Sequence, residues 1–149
     1  MYKTILWATD GSDSADGALD EALRLLAPHG RLIAFHCDER FEGGRINGSS
    51  IYLDEADRRA KIRTQVDGLL ADGIDAVLMV EVTNHHASRE IAAVAEKHGA
   101  EVIVCGTRGL GSIAGAVKGS VAMRLPHAAH CPVLVVSERA ARRPEPLHA

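Results

Sequence analysis

Aromatic residues are scarce in this chain, at 3% of its 149 residues. Proteins that bind single-stranded nucleic acid stack bases on aromatic side chains, so the sequence disfavours that class. The formal net charge is only −3, and no basic stripe offers a surface for duplex DNA or RNA. No apolar run approaches the roughly eighteen residues of a membrane span. The N-terminus meets an acid at Asp10, too early for a signal peptide.

Cysteine is also infrequent and odd in number, with Cys37, Cys105 and Cys131 widely spaced in apolar stretches. This pattern is not that of a disulfide framework. We interpret the three residues as reduced core thiols and predict a cytoplasmic protein.

The composition is that of a globular protein, with 46% hydrophobic and 25% charged residues. A length of 149 residues favours one domain, which we predict to span 1–149, with a flexible tail over 138–149. The connection Asp38–Tyr52 is rich in Gly, Asn and Ser, and we expect a lid or variable insertion there.

Five short apolar runs alternate with helical patterns along the chain. The runs read "TILWAT", "RLIAFHC", "AVLMVEV", "EVIVCG" and "PVLVVS". Runs with so little alternation suit strands that are covered on both faces. The pattern predicts an α/β fold with a single doubly wound, five-stranded parallel sheet and helices on both faces.

The helices are indicated by apolar residues at helical spacing and by caps. Ser12 to Ser14 offer an N-cap to the first helix, whose predicted apolar stripe ends at Leu26. Gly73 and Gly99 are expected to end the next two helices. Pro126 is expected to kink or truncate the last one. The predicted apolar stripes are Leu19, Ala22, Leu23 and Leu26, then Ile62, Val66, Leu69 and Leu70, then Ile91, Val94 and Ala95.

A glycine-rich stretch, "GTRGLGSIAGAVKGS", follows the fourth strand from Gly106 to Ser120. Ligands of parallel sheets bind at the carboxyl ends of the strands, where the strand order reverses. Glycines let backbone N–H groups approach phosphate oxygens, and the helix that opens at Ser120 offers a positive dipole end. Arg108 and Lys118 add positive charge. These features favour a phosphate-binding loop.

Three other interpretations of the stretch compete with that one. A Walker loop is excluded, because no register supplies GxxxxGK[ST]. The dinucleotide fingerprint is matched by "GLGSIA", Gly109 to Ala114, but Gly115 and Gly119 would interrupt its helix, and no strands remain for a second half. A surface linker without a ligand is the remaining alternative.

The spacing G-x-x-G-x9-G-[ST], met by Gly106, Gly109, Gly119 and Ser120, resembles the nucleotide-binding signature of the universal stress protein family, in its ATP-binding branch. The stretches "ILWATDGS", "GAEVIVCGTRG" and "GSVAMRL…HCPVLVV" resemble the family's opening strand and turn, fourth strand, and closing helix and strand. The resemblance runs in order along nearly the whole chain and is weakest over Asp38–Tyr52. It implies a strand order of 3-2-1-4-5 in a Rossmann-like sheet of the adenine nucleotide alpha hydrolase type.

The resemblance also implies a binding site for ATP or a related adenine nucleotide. Asp10, with Ala8 beside it, matches the acid that faces the nucleoside, and Cys37 stands where the family usually has a valine whose backbone reads the adenine edge. A divalent Mg or Mn ion would be held mainly by the phosphates, so no metal ligands are assigned. The positions matching those that line the ribose and phosphates are Gly106, Arg108, Gly109, Gly119, Ser120 and Val121.

The segment "TNHHAS" departs from the family, which often has a glycine–aspartate–proline-like turn there. His85, His86 and Ala87 stand in its place, at a turn expected near the rim of the ligand. Two charged helical stretches are interpreted as solvated surface. They are Asp13, Asp16 and Asp20 on the first helix, and "DEADRRAKIR" on the second.

The function favoured by the sequence is an adenine-nucleotide-binding stress or regulatory module rather than a dedicated enzyme. No residue stands out as a catalytic base over a γ-phosphate, so no catalytic residue is assigned. The alternatives are a slow ATPase or autophosphorylating enzyme, and a cyclic-nucleotide (cAMP) sensor. We also expect a homodimer through the last strand, whose edge carries four aliphatic residues, Val133–Val136, before any charge.

Overall fold

The computed structural model describes residues 1–39, 45–46, 49–107 and 120–137. Most of the glycine-rich stretch, part of the Asp38–Tyr52 connection and the tail 138–149 lie outside these ranges. The described strands are β1 (Tyr2–Ala8), β2 (Leu26–Glu39), β3 (Arg45–Ile46), β4 (Ser49–Ser50), β5 (Asp75–Thr83), β6 (Val102–Gly106) and β7 (Val133–Val136). The helices are α1 (Asp13–Leu25), α2 (Ile51–Ala71), α3 (Ala87–Lys97) and α4 (Ser120–Ala128).

The central sheet contains five strands in the order β5-β2-β1-β6-β7. Every neighbouring pair in it is parallel. Counted along the chain, this is the predicted order 3-2-1-4-5. The short strands β3 and β4 form a separate antiparallel pair within the predicted variable connection.

Each face of the sheet carries its own hydrophobic core. Alternate residues of β1 and β2 point to opposite faces, so Trp7 and Ala34 join one core while Leu6 and Phe35 join the other. Helices α1 and α2 cover the first core, and α3 and α4 cover the second. Coverage on both faces explains why the strands are apolar throughout.

Helix α1 begins as predicted and ends one residue early. Ser12 is its N-cap, and its hydroxyl accepts a hydrogen bond from the Ala15 amide at 3.2 Å. Leu26 was expected in the helix but is extended, with ψ of 127°, and begins β2. Pro28 lies two residues on, and the ring of a proline disfavours helical backbone in the residue that precedes it. The helix therefore stops before the proline is reached.

The other helix ends agree with the sequence in most respects. Gly73 and Gly99 take positive φ values of 83° and 67° just beyond α2 and α3. Pro126 lies inside α4, which ends two residues later at Ala128. Leu70, however, is 50% exposed, so the predicted stripe of α2 is narrower than expected.

Candidate functional site

The reversal of strand order places the candidate site between the carboxyl ends of β1 and β6. The chain steps from β1 to β2 and β5 on one side, and then to β6 and β7 on the other. Trp7 pairs with Val104, so the same register sets Thr9 beside Gly106. Ala8 pairs with Phe35, which sets Asp10 level with Cys37 on β2. Strands β1 and β6 therefore end side by side, while β2 continues to Glu39 along the crevice where ligands of such sheets bind.

The loop after β1 is a tight turn that presents Asp10 in this crevice. The Gly11 amide donates to Thr9 Oγ1 at 3.1 Å, and the Ser12 amide donates to Asp10 Oδ1 at 2.9 Å. Gly11 has a φ of 81°, in the left-handed region that side chains other than glycine rarely adopt. The turn leads directly into Ser12, the N-cap residue of α1. Asp10 is thus fixed at the amino end of a helix.

A tryptophan that the sequence analysis did not single out anchors α1 against the sheet. The Trp7 side chain is fully buried, and its indole N–H donates to the Ala15 carbonyl at 2.9 Å. A buried indole requires an acceptor for its N–H group, and the first turn of α1 supplies one. The signal that could have found it is the single Trp of the chain, three residues before the acid.

Gly106 is required by packing as well as by its position. A Cβ added there would lie 2.7 Å from the backbone C and O atoms of Ser14, and would also meet the Ser14 hydroxyl. The end of β6 therefore rests directly on the first turn of α1. This contact holds the two halves of the switch point together, and any larger residue would separate them.

Three residues predicted for the site contact the same core, on the α3/α4 face of the sheet. Ala8 is buried in it, and the half-buried side chains of Cys37 and Val121 pack against it.

Burial, assisted by the Glu39 charge, raises the pKa of the Cys37 thiol to about 12. The thiol is therefore neutral at physiological pH, and its disulfide chemistry is suppressed. All three cysteines are free.

The remaining predicted residues are only partly covered by the described ranges. Ser120 is the first residue of α4, so the glycine-rich stretch leads into a helix as expected. Arg108, Gly109 and Gly119 lie outside the described residues. Their assignment stays a prediction from the sequence.

The turn that departs from the family adjoins the end of β2. The Ala87 amide, at the start of α3, donates to Glu39 Oε1 at 2.8 Å, so a carboxylate caps this helix from the neighbouring strand. The His85 amide donates to Thr83 Oγ1 at 3.0 Å, and the side chains of His85 and His86 are exposed. The two histidines thus follow β5, on the Cys37 side of the sheet, with β2 and β1 between β5 and β6.

Part of the predicted solvated surface is in fact a polar interface between α2 and the first loop. Glu55, within "DEADRRAKIR", is only 6% exposed. Lys61 Nζ donates to the Gly11 carbonyl at 2.7 Å and to Asp16 Oδ2 at 2.8 Å. The prediction for Glu55 was therefore wrong, because helix periodicity shows which residues share a face but not what that face contacts. The Asp16 side chain is paired with Lys61 but remains 36% exposed. The polar residue His36, inside an otherwise apolar run, was the signal for this interface.

Two features are absent from residues 1–39, 45–46, 49–107 and 120–137. None of the described helices is long and apolar enough to cross a membrane. Within the same ranges, no group of three or more His, Cys, Asp or Glu side chains is arranged to hold a metal ion.

Comparisons with known proteins agree on one family. A sequence model of the universal stress protein family matches residues 1–137. A universal stress protein of Thermus aquaticus, encoded in the QAH/OAS sulfhydrylase 3' region, is 34% identical over 139 residues, which cover 91% of this chain and 99% of that protein.

Solved structures give the same result. The hypothetical protein MJ0577 superposes with a TM-score of 0.76 at 25% identity, over 93% of this chain and 97% of that chain. A universal stress protein in complex with cAMP superposes with a TM-score of 0.65 at 26% identity, over 91% of this chain and 97% of that chain.

Proposed function

Because the chain belongs to the universal stress protein family, we propose that it binds an adenine nucleotide, ATP foremost, and acts as a stress-response or regulatory module in the cytoplasm. The observation that carries this proposal is the crevice at the reversal of strand order, where Asp10 follows β1 level with Cys37 of β2, and Thr9 lies beside Gly106 of β6. Asp10 lies at its centre, between Cys37 on one side and Gly106 on the other.

This order along the crevice suits an extended nucleotide. The adenine would lie against the backbone of Cys37, the ribose near Asp10 and Ala8, and the phosphates beyond Gly106. A Mg or Mn ion would be held chiefly by the phosphates themselves. The residues proposed to line the ribose and phosphates are Gly106, Arg108, Gly109, Gly119, Ser120 and Val121.

A second candidate ligand is cAMP. It is favoured by the solved relative that was determined in complex with cAMP and shares 26% of its residues with this chain. Both ligands would use the same adenosine end of the crevice. They differ at the phosphates, because a cyclic monophosphate needs fewer backbone N–H groups from the glycine-rich stretch.

The test combines identification of a co-purifying nucleotide by mass spectrometry with calorimetric titration of ATP and cAMP. Gly119→Val places a side chain where the phosphates are proposed to lie, so ATP affinity should fall at least tenfold while cAMP affinity falls less. Gly68→Ala is the matched control, because a Cβ at this exposed position of α2 meets nothing within 4 Å. Unchanged ATP affinity in Gly119→Val, or no binding of either ligand by the parent protein, would overturn the proposal.

We propose a binding module rather than a fast enzyme, since no residue of the crevice is assigned as a catalytic base. Phosphate release from ATP should stay far below the median enzyme turnover of about 10 per second. Fast hydrolysis that depends on magnesium and is abolished by Ser120→Ala would favour the ATPase alternative.

A further inference from the structure

A buried histidine lies directly behind the loop that carries Asp10. His36 is 2% exposed and points to the α1/α2 side of β2. Its Nδ1 lies 2.9 Å from the Thr9 carbonyl oxygen, and its Nε2 lies 2.7 Å from Glu55 Oε1. The imidazole thus links the peptide between Thr9 and Asp10 to helix α2.

The two contacts fix the number of protons on this pair. A carbonyl oxygen only accepts hydrogen bonds, so Nδ1 must carry a proton to bond Thr9. A second proton must then lie between Nε2 and Glu55 Oε1, because two acceptors do not approach to 2.7 Å without one. The pair therefore holds one proton more than a neutral imidazole beside a carboxylate.

The charged groups around the pair come from β2 and α2. Arg59 Nε donates to Glu55 Oε1 at 2.9 Å, and Arg59 Nη2 lies 3.5 Å from Asp38 Oδ2. Arg58 Nη1 lies 3.7 Å from Glu55 Oε2, which makes no hydrogen bond. Arg59 donates to the same carboxylate oxygen as the imidazole, which favours the imidazolium–carboxylate form.

The adjoining contacts show that the loop is held from this side at more than one point. Lys61 Nζ donates to the Gly11 carbonyl, and the Arg58 Cβ lies 3.4 Å from where a Gly11 Cβ would be. The α1/α2 face therefore holds both ends of the Thr9–Gly11 turn, while the residues predicted to contact the adenine pack on the opposite face.

We infer that His36 and Glu55 are positioning residues, which hold the Thr9 carbonyl by hydrogen bonds and so set the orientation of Asp10 towards the nucleotide. The inference deepens the proposed function, on which its ligand-binding part rests.

The first test uses the protein without ligand. Nitrogen-15 NMR of the imidazole should show Nδ1 protonated near neutral pH, and the amides of Gly11 and Ser12 should exchange slowly with solvent. In His36→Gln the new amide can still reach Glu55 but not Thr9, so exchange of both amides should accelerate about tenfold. His36→Asn retains a donor at the Nδ1 position, and should preserve more of the protection. An unprotonated Nδ1, or unchanged exchange in His36→Gln, overturns the inference.

The second test measures ATP affinity at one fixed, neutral pH. His36→Gln should bind ATP several-fold more weakly than His36→Asn, because only the asparagine retains a donor at the position of Nδ1 that faces the Thr9 carbonyl. Equal affinities in the two variants overturn the positioning role.

Arg31→Ala is the control, because its ion pair with Asp75 is exposed on the side chains of both partners. This variant should change neither the amide exchange nor the ATP affinity. A parent protein that binds no nucleotide would refute the proposed function, while the NMR and exchange results would still decide whether the link to Thr9 exists.

Discussion

A single absent methyl group at Gly106 determines how closely β6 approaches α1. The backbone of Ser14 occupies the space that a Cβ would need. Gly11, by contrast, is required by its positive φ, and Gly68 has open space around it. The glycines of this chain thus serve different purposes, although they look alike in the sequence.

Gly106→Ala should destabilise the fold by about 1–3 kcal/mol, because overpacking forces backbone to move. Gly68→Ala should stabilise it by about 0.5–1 kcal/mol, since alanine is the better residue inside an exposed helix. Urea denaturation of both variants checks the pair. If Gly106→Ala is as stable as the parent protein, the contact with Ser14 is not a tight one.

The Cys37 thiol gives a pH dependence of known sign. Its pKa is raised from 9.0 to about 12 in the folded protein, chiefly by burial. Above about pH 9 the unfolded chain loses this proton while the folded chain keeps it. The contribution of this thiol to the free energy of unfolding is therefore fully present below about pH 9 and decreases as pH rises towards 12. The stability lost between about pH 7 and pH 10.5 should be smaller in Cys37→Ala than in the parent protein. Equal losses in denaturant titrations would contradict this assignment.

At the scale of elements, α1 is the helix on which the candidate site depends. Ser12 caps it, Trp7 bonds its first turn, and Gly106 packs against it. Lys61 and Gln65 of α2 reach Asp16 on its outer side, at 2.8 and 2.9 Å. Helix α1 is therefore held from the sheet, from β6 and from α2 at once.

Ser12→Ala should lower the free energy of unfolding by about 1 kcal/mol, because the Ala15 amide loses its buried acceptor. Thr64→Ala is the matched control: its hydroxyl donates to the Ala60 carbonyl within α2, where that bond is not needed to cap an end. Thermal denaturation should lower the Tm of the first variant only. A control that is destabilised equally would show that the effect is not one of capping.

At the scale of the whole molecule, β5 and β7 are the two edges of the described five-stranded sheet. Strand β7 pairs with β6 on one side, and Val133 to Val135 are half-buried. An exposed row of N–H and C=O groups on an aliphatic strand is a template for pairing with another chain. We propose that a second copy pairs there across a two-fold axis.

Val135→Lys should shift this homodimer towards monomer, as measured by light scattering at micromolar concentration. Val77→Lys, at a residue 41% exposed on the opposite edge, is the control and should leave the dimer intact. Circular dichroism of both variants verifies the fold, because Val135 also packs against the α3/α4 core. A parent protein that is monomeric would refute the proposal.

The fold could be predicted because each strand of the five-stranded sheet carries its own local signal. Apolar runs such as Val102–Cys105 are buried on both faces, and Gly73 and Gly99 end their helices through positive φ. The position of the crevice was expected from the strand order that the family resemblance implies, since ligands of parallel sheets bind where the order reverses. Leu26 was misassigned because it continues the helical spacing of α1, whereas the structure places it in β2, just before Ala27, whose helical backbone is disfavoured by Pro28.

The sequence by itself determined the alternation of strands and helices and the helix caps, because hydrophobic period and capping are properties of neighbouring residues. Only the tertiary structure decided that Glu55 is buried against His36, nineteen residues away, and that Gly106 lies on Ser14. Such contacts join separate elements, and their geometry depends on how β1, α1 and α2 pack. The local sequence pattern of a charged helix residue is the same whether that face of the helix is exposed to solvent or packs against polar groups of the loop after β1.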